Sequence, residues 1–125
     1  MELRAIGATL DANDPQLLAD FWQAAIGFRT RAGDGDPYIT LSDSEVGRPL
    51  NHLTIQRVPE PKTAKHRFHL DLFVADDVQA IEELEALGAT VQVPTSGPGY
   101  QGMRVTVMAD PEGGEFCVVC RPRPA

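Results

Sequence analysis

The sequence predicts an α+β fold made of two copies of one strand–helix–strand–strand–strand unit, at about residues 3–58 and 67–121. Each half has a strand-like segment, then a capped amphipathic helix, then three further strand-like segments. Aligning Asp14 with Asp76 also places Gly27 opposite Gly88 with one residue of slack. A repeat that agrees in element order, caps and strand pattern is stronger evidence than any single motif. We therefore expect one domain over residues 1–125.

The first half contains one helix and four predicted strands. Asp14 is a suitable N-cap, Pro15 suits the first helical position, and Gly27 ends the helix. The predicted strands are residues 3–11, 28–31, 38–41 and 52–58, and the apolar stripe of the helix is Leu17, Leu18, Phe21, Trp22, Ala25 and Ile26. Trp22 is interpreted as a core or dimer-surface residue. Residues 42–49 form a polar connection, and residues 59–62 begin a linker.

The second half repeats this order. Asp76 and Gln79 fit a capping box, and Gly88 caps the other end of the helix. The predicted strands are residues 67–74, 89–93, 103–108 and 115–120, and the apolar stripe of the helix is Val78, Ile81, Leu84 and Leu87. Residues 94–102 form a Gly/Pro-rich loop of the kind that borders binding sites, residues 110–114 form a tight turn, and residues 121–125 form a tail.

The strand predicted at residues 67–74 carries the chemistry. Strict alternation directs Arg67, His69 and Asp71 to one side. The same alternation directs Phe68, Leu70 and Leu72 to the other side, against a core. A sheet face that only contacts solvent does not require a cation, an imidazole and a carboxylate in a row, so these residues are candidates for a functional site. A hydrogen-bonded structural role for the histidine remains the alternative, and His66 is expected to be exposed.

Composition excludes several classes of partner. Lys and Arg number 11 against 18 Asp and Glu, which gives a net charge of −7. Nucleic acids and anionic membranes bind proteins with positive charge more favourably, so we expect neither as a partner. No run of about 18 apolar residues predicts a membrane span. No signal-peptide pattern follows Met1, so a cytoplasmic protein is expected.

Cys117 and Cys120 have the spacing of a redox or zinc motif. Residues three apart on a strand face opposite sides, and no second cysteine pair completes a zinc site. We therefore expect two reduced, mostly buried thiols.

The chain resembles the vicinal oxygen chelate superfamily, which includes glyoxalase I, bleomycin-resistance proteins and extradiol dioxygenases, and especially its small glyoxalase-like domain proteins. The segments that carry the resemblance are residues 14–15 (DP), 18–22 (LADFW), 26–28 (IGF), 69–72 (HLDL), 84–89 (LEALGA) and 110–117 (DPEGGEFC). The resemblance implies that two βαβββ repeats form a curved mixed sheet, open as a cup, with helices on its convex side. It also implies a homodimer.

In metal-using members of the superfamily the ligands come from the first and fourth strands of one half and the first and last strands of the other. Only His69 matches such a ligand here. Gly7 takes the first-strand position, Thr54 or Gln56 the fourth-strand position, and Cys117 replaces a glutamate on the last strand. Glu115 shares the face of that cysteine. The resemblance therefore implies no cofactor, with a divalent metal (Zn, Ni, Mn or Fe) as the alternative.

Three functions follow from the resemblance. The first is a metal-free cup that binds a small molecule, with candidate ligand-binding residues Gln56, Arg67, Phe73, Tyr100, Met103 and Cys117. The second is a lyase, isomerase or dioxygenase that uses His69 as ligand or general base, with Asp71 orienting the imidazole. The third is an accessory dimeric domain. Whether His52, Thr54 and Gln56 face the cup depends on strand register. If the two halves are aligned so that Arg57 corresponds to Arg121, the residue that corresponds to Cys117 is Leu53.

Overall fold

The computed structural model describes residues 1–2, 7–43 and 52–121, so the expectations for residues 3–6, 44–51 and 122–125 lie outside the described residues. The side chain of Tyr100 also lies outside them. The chain divides into two compact units, Met1–Pro61 and Lys62–Ala125. Within the described residues, no helix has the length and apolar character needed to cross a membrane.

The first unit is a four-stranded mixed sheet with one helix. Its elements are β1 (Ala8–Ala12), α1 (Pro15–Ile26), β2 (Thr30–Ala32), β3 (Tyr38–Ser42) and β4 (His52–Arg57). The strand order is β1-β4-β3-β2, with β1 parallel to β4 and the other pairs antiparallel. The helix packs on one face of the sheet over a core formed by Ala12, Leu18, Ala19, Phe21, Trp22, Phe28, Ile39, Leu41, Leu53 and Ile55.

Helix α1 begins and ends where the sequence predicts. Asp14 accepts a hydrogen bond from the Leu17 N–H at 3.1 Å, and Gly27 closes the helix with φ of 84°. Trp22 is 2% exposed and meets Phe21 edge-on at 5.0 Å between ring centroids. The indole is therefore a core side chain of this unit.

The second unit repeats the architecture. Its elements are β5 (Asp71–Val74), α2 (Asp77–Ala86), β6 (Thr90–Ser96), a 3₁₀ turn (Tyr100–Gly102), β7 (Arg104–Ala109) and β8 (Glu115–Cys120). The strand order is β5-β8-β7-β6, with β5 parallel to β8. The buried apolar residues of this unit are Leu84, Ala89, Met108, Ala109, Phe116, Val118 and Val119. The repeat of one α+β unit is thus confirmed element by element.

The strand predicted at residues 67–74 is shorter than expected. Ladder pairing with β8 begins at Asp71, and the Leu70 carbonyl accepts one further bond from the Cys117 N–H at 3.0 Å. Phe68 is 80% exposed, so the prediction that it packs on the core is wrong. Phe68 lies in the segment before the ladder, and this segment is held by a side chain of β8 and not by strand pairing. The His66 N–H donates to the Glu115 carboxylate at 2.9 Å.

Helix α2 is less buried than its apolar stripe suggested. Asp76 accepts from the Gln79 N–H at 3.0 Å, as predicted for a capping box, but the Gln79 side chain donates to Glu83 instead of accepting from the Asp76 N–H. Leu84 is buried, whereas Val78 is 57% exposed and Leu87 is 41% exposed.

Strand β6 runs three residues beyond its predicted end and includes Pro94. It is an edge strand with register shifts against β7 on both sides of Val93. A proline is tolerated there because an edge strand leaves half of its backbone N–H groups without a ladder partner. The predicted loop at 94–102 is correspondingly shorter.

Candidate functional site

Three polar side chains of different chemistry meet at one end of the second sheet. Asp71 and Cys117 are direct partners in the β5–β8 ladder, and His69 lies two residues before Asp71. The three candidate donor atoms all lie within 4.8 Å of one another. His69 Nε2 is 3.1 Å from Asp71 Oδ1. We call these three residues the polar cluster.

The polar cluster is accessible, and the pKa of its thiol is raised. The side chains of His69 and Asp71 are 43% and 45% exposed, and Cys117 is half-buried. Burial raises the pKa of the Cys117 thiol, the Asp71 charge raises it further, and Lys65 opposes both effects. The cation that lowers the pKa of this thiol is therefore Lys65, which lies in the segment before His69.

The second cysteine takes no part in the cluster. Cys120 lies three residues along β8 on the other face, and its Sγ is 3.6 Å from the Ala75 carbonyl oxygen. The two cysteines lie on opposite faces of β8 as predicted, but both are half-buried and not mostly buried.

Glu115 is held by the segment that leads to the cluster. Its carboxylate accepts from Lys62 Nζ at 2.8 Å and from the His66 N–H at 2.9 Å. Burial alone would raise the pKa of Glu115, but these hydrogen bonds, together with its own N–H and the Lys62 charge, lower the pKa from 4.5 to about 2. Glu115 is therefore engaged elsewhere and is not a fourth member of the cluster. His66, expected to be exposed, is half-buried by this contact.

The polar cluster stands at one end of a largely apolar surface. Ladder pairing places Phe73, Val119, Val105, Val107 and Val93 on the same side of the sheet as Asp71 and Cys117. We call this side the helix-free face, because the opposite side, with Phe116 and Val118, packs under α2. Phe73 is 62% exposed, and the Arg121 guanidinium lies 5.9 Å from its ring centroid.

The equivalent face of the first sheet is polar. The β1–β4 register pairs Thr9 with Thr54 and Asp11 with Gln56, so these side chains share one face. Thr40 joins them, with its hydroxyl 3.4 Å from that of Thr54. This register shows that Thr54 and Gln56 lie on one face of the first sheet.

In the repeat, Thr54 corresponds to Cys117, because their β1 and β5 partners, Thr9 and Asp71, are equivalent positions. Leu53 is 2% exposed and lies in the core, so the alternative alignment, in which Leu53 corresponds to Cys117, is wrong.

Gly7 is closely covered by an imidazole. A Cβ at this position would collide with the His52 ring, at 2.6 Å from Cε1 and closer still to Nε2. The first-strand ligand position is therefore filled by a neighbouring side chain, and a longer residue at position 7 does not fit without displacing it.

The predicted site residues separate into groups. His69, Asp71 and Cys117 come together, and Phe73 lies on the same face. Met103 is half-buried directly before β7, and Arg67 is exposed before β5. Gln56 lies on β4 of the first unit, and the Tyr100 side chain lies outside the described residues.

Sequence reasoning missed two features of the site. Asp71 was expected only to orient the imidazole, whereas the ladder makes it a direct neighbour of the thiol. Val105, Val107 and Val119 were not recognised as residues on the same face as the polar cluster. Alternation within β7 and β8 placed them on one face, but only the pairing with β5 shows that this is the face of the cluster.

Comparisons with known proteins agree with this architecture. A structure described as a glyoxalase-related enzyme from Fulvimarina pelagi has a TM-score of 0.69 at 19% identity, covering 98% of this chain and 94% of that one. A glyoxalase/bleomycin resistance protein/dioxygenase family enzyme from Burkholderia phytofirmans PsJN has a TM-score of 0.69 at 17% identity, covering 93% and 97%. TioX from Micromonospora sp. ML1 has a TM-score of 0.63 at 20% identity, covering 95% and 99%.

At such identities the structural likeness establishes the fold alone. No curated protein sequence matches this chain. The sequence profile of a family described as glyoxalase-like domain matches residues 7–119, which is nearly the whole chain. The protein therefore belongs to the glyoxalase-like domain family, within the vicinal oxygen chelate superfamily.

Proposed function

We propose that this protein binds a small organic molecule on the helix-free face of the second sheet. The observation that carries the proposal is the position of an accessible polar cluster at one end of an apolar surface. Small-molecule sites typically combine an apolar lining with a few convergent polar groups that fix orientation. The expected ligand has an aromatic or branched apolar body and a polar end group.

Each part of this face has a separate task in the proposal. Phe73 contacts the apolar body, since its ring is 62% exposed and Val119 lies beside it in the ladder. His69 and Asp71 hydrogen-bond the polar end group. Binding of this kind needs no metal, which is the form of the function that the sequence predicts.

A second candidate function is a superfamily-type lyase, isomerase or dioxygenase activity on the same ligand. The separation of 3.1 Å between His69 Nε2 and Asp71 Oδ1 favours it. A carboxylate at that distance orients an imidazole and stabilises its protonated form, which leaves Nδ1 to accept a proton from the ligand. In this role His69 is the general base and Asp71 its positioning residue.

Binding is tested by a thermal-shift screen of small metabolites with chelator-treated protein, followed by affinity measurements on each hit. We expect Phe73→Ala to weaken binding about tenfold, which is about 1.4 kcal/mol. The matched control is Val78→Ala, because Val78 is similarly exposed at 57% but lies on α2. Equal affinity in the two variants contradicts the proposed location, and a screen without hits favours the accessory dimeric domain.

The second candidate is separated from the first by His69→Gln. Loss of turnover with binding kept within about threefold supports the general-base role, since glutamine keeps hydrogen-bonding groups without the basic nitrogen. Unchanged turnover would remove His69 from the chemistry.

A further inference from the structure

We propose that the ligand of the helix-free face is an amphipathic carboxylate, and that Arg121 is the residue that selects its anionic group. The apolar body of this ligand lies on Phe73, and the end remote from the carboxylate carries a hydroxyl. The inference rests on the proposed function, because it names the chemical class of the ligand for the same face. Arg121 is not among the ligand-binding residues that the sequence predicts.

Arg121 continues the row of β8 side chains on the helix-free face. Cys117 and Val119 lie on this face, and Arg121 follows at the same two-residue spacing, directly after the end of β8. Its guanidinium is 5.9 Å from the centroid of the Phe73 ring, within the range of a cation–π contact. Phe73 is the ladder partner of Val119. The guanidinium therefore lies at the end of the face opposite to the polar cluster.

The charge of Arg121 is available to a ligand. Arg31 and Arg104 are paired with Asp20 and Asp77, whereas no carboxylate in the described part of the chain lies within ion-pair distance of the exposed Arg121. A guanidinium has its N–H donors in one plane and binds a carboxylate through two parallel hydrogen bonds. A ligand carboxylate is therefore the group that fits this end of the face.

The polar cluster at the other end suits a hydroxyl better than a second anion. The Asp71 carboxylate is 45% exposed there, 3.1 Å from the His69 imidazole. The charges of Asp71 and Lys65 act on the Cys117 thiol with opposite signs, so an anion at this end meets repulsion as well as attraction. A hydroxyl can donate a hydrogen bond to Asp71 and accept one from His69. The two ends of the face thus fix the direction in which the ligand lies.

The separation of the two ends sets the length of the ligand. Cys117 and Arg121 are four residues apart, which is about 13 Å along an extended strand. The surface between them is apolar, with Phe73 62% exposed and with Val119 paired to both Phe73 and Val105. A rigid acid with two aromatic rings and a terminal hydroxyl has the length to reach both ends, whereas an acid with one ring reaches only one of them.

Titration of the full chain with a matched pair of probes, followed by calorimetry at pH 7, tests the proposal. The probes are 4′-hydroxybiphenyl-4-carboxylate and its primary amide, which has the same shape without the charge. We expect the acid to bind about tenfold more tightly than the amide, and 4-hydroxybenzoate to bind about tenfold more weakly than the longer acid.

Substitution of the arginine separates its charge from the apolar surface. Arg121→Gln should reduce the preference for the acid over the amide to less than about twofold, and Arg121→Lys should retain part of it, because lysine keeps the charge without the planar pair of donors. Arg104→Gln is the matched control, since Arg104 is paired with Asp77 on α2 and its loss should leave the preference unchanged.

A measurement on the wild-type chain keeps the test valid if a variant fails to fold. The acid is expected to shift the Arg121 Nε–H resonance in nitrogen–proton NMR spectra, whereas the amide leaves it in place. An acid that binds no better than its amide, a preference that survives Arg121→Gln, or an unshifted Arg121 resonance overturns the proposal. Amide binding that Phe73→Ala weakens would then still support the proposed function, so the two proposals fail separately.

Discussion

Glu115 has a strongly lowered pKa, although it lies outside the polar cluster. Lys62 and the His66 N–H both bond its carboxylate, and the pKa falls from 4.5 to about 2. A lowered folded-state pKa adds stability above the unfolded pKa, and this stability disappears as pH falls from about 5 to about 2. A shift of this size corresponds to about 3 kcal/mol at most.

We predict that Glu115→Gln lowers the free energy of unfolding by about 1–3 kcal/mol at pH 7, because the amide keeps an acceptor but loses the charge that Lys62 neutralises. The variant should also lose less stability than the wild type between pH 5 and pH 2. Urea unfolding at several pH values measures both effects.

Glu85→Gln is the matched control, since Glu85 is exposed on α2 and should change stability by less than about 0.5 kcal/mol. A pH profile of Glu115→Gln parallel to that of the wild type would contradict this account of the carboxylate.

The polar cluster shows how much of a site can be predicted from the sequence residue by residue. Alternation correctly placed His69 and Asp71 on one side, and the family resemblance placed Cys117 at the last-strand position. Their mutual contact depends on which strand pairs with which and in what register. Those are long-range properties that periodicity within one strand does not contain.

At the scale of elements, the capping residues predicted the helix ends better than the apolar stripes predicted which helix residues are buried. The caps Asp14, Gly27 and Asp76 form as expected because capping depends on a few neighbouring residues. The stripe of α2 was a poorer guide: Leu84 is buried, but Val78 and Leu87 remain exposed. Burial depends on what the fold brings opposite each position, which local spacing does not specify.

A polar contact therefore matters for the docking of α2. Asp77 in its first turn is 4% exposed, and Arg104 Nε on β7 lies 3.1 Å from its Oδ2. We predict that Arg104→Ala lowers the free energy of unfolding by about 1–2 kcal/mol, between the values for exposed and buried ion pairs, because Arg104 is half-exposed.

The pair is tested by a double-mutant cycle with Asp77→Asn, measured by urea unfolding. We expect the double variant to be more stable than the sum of the single effects allows, since removing both charges leaves no buried carboxylate without its partner. Strict additivity would show that Arg104 acts through packing alone.

At the scale of the whole chain, the repeated unit was predictable because its signals recur in the same order in both halves. The two copies differ in surface chemistry: hydroxyl and amide groups line the helix-free face of the first sheet, and valines with Phe73 line that of the second. The sequence expectation of one domain remains a prediction beside the observed division at Pro61 and Lys62.

Hydrogen bonds hold both ends of the segment between the units, one end to the first unit and the other end to the second. Asn13 Nδ2 donates to the Glu60 carbonyl at 2.9 Å, and Glu115 holds Lys62 and His66. Residues 61–65 between these contacts are exposed. Exposed segments are cleaved by proteases when local opening frees their backbone, so the Glu115 contacts should limit cleavage there.

We predict that Glu115→Gln raises the rate of trypsin cleavage after Lys62 and Lys65 severalfold, because the segment loses its fastening to β8. Mass spectrometry of early fragments measures this rate. Cleavage after Arg104, which lies in β7, reports global unfolding, and the lower stability of the variant raises this rate too, so the rates after Lys62 and Lys65 are read relative to the rate after Arg104. If cleavage at all three sites rises by the same factor, the variant acts through general unfolding. A selective rise after Lys62 and Lys65 means that one carboxylate on β8 holds the segment leading to His69, and so connects the order of that segment to the geometry of the polar cluster.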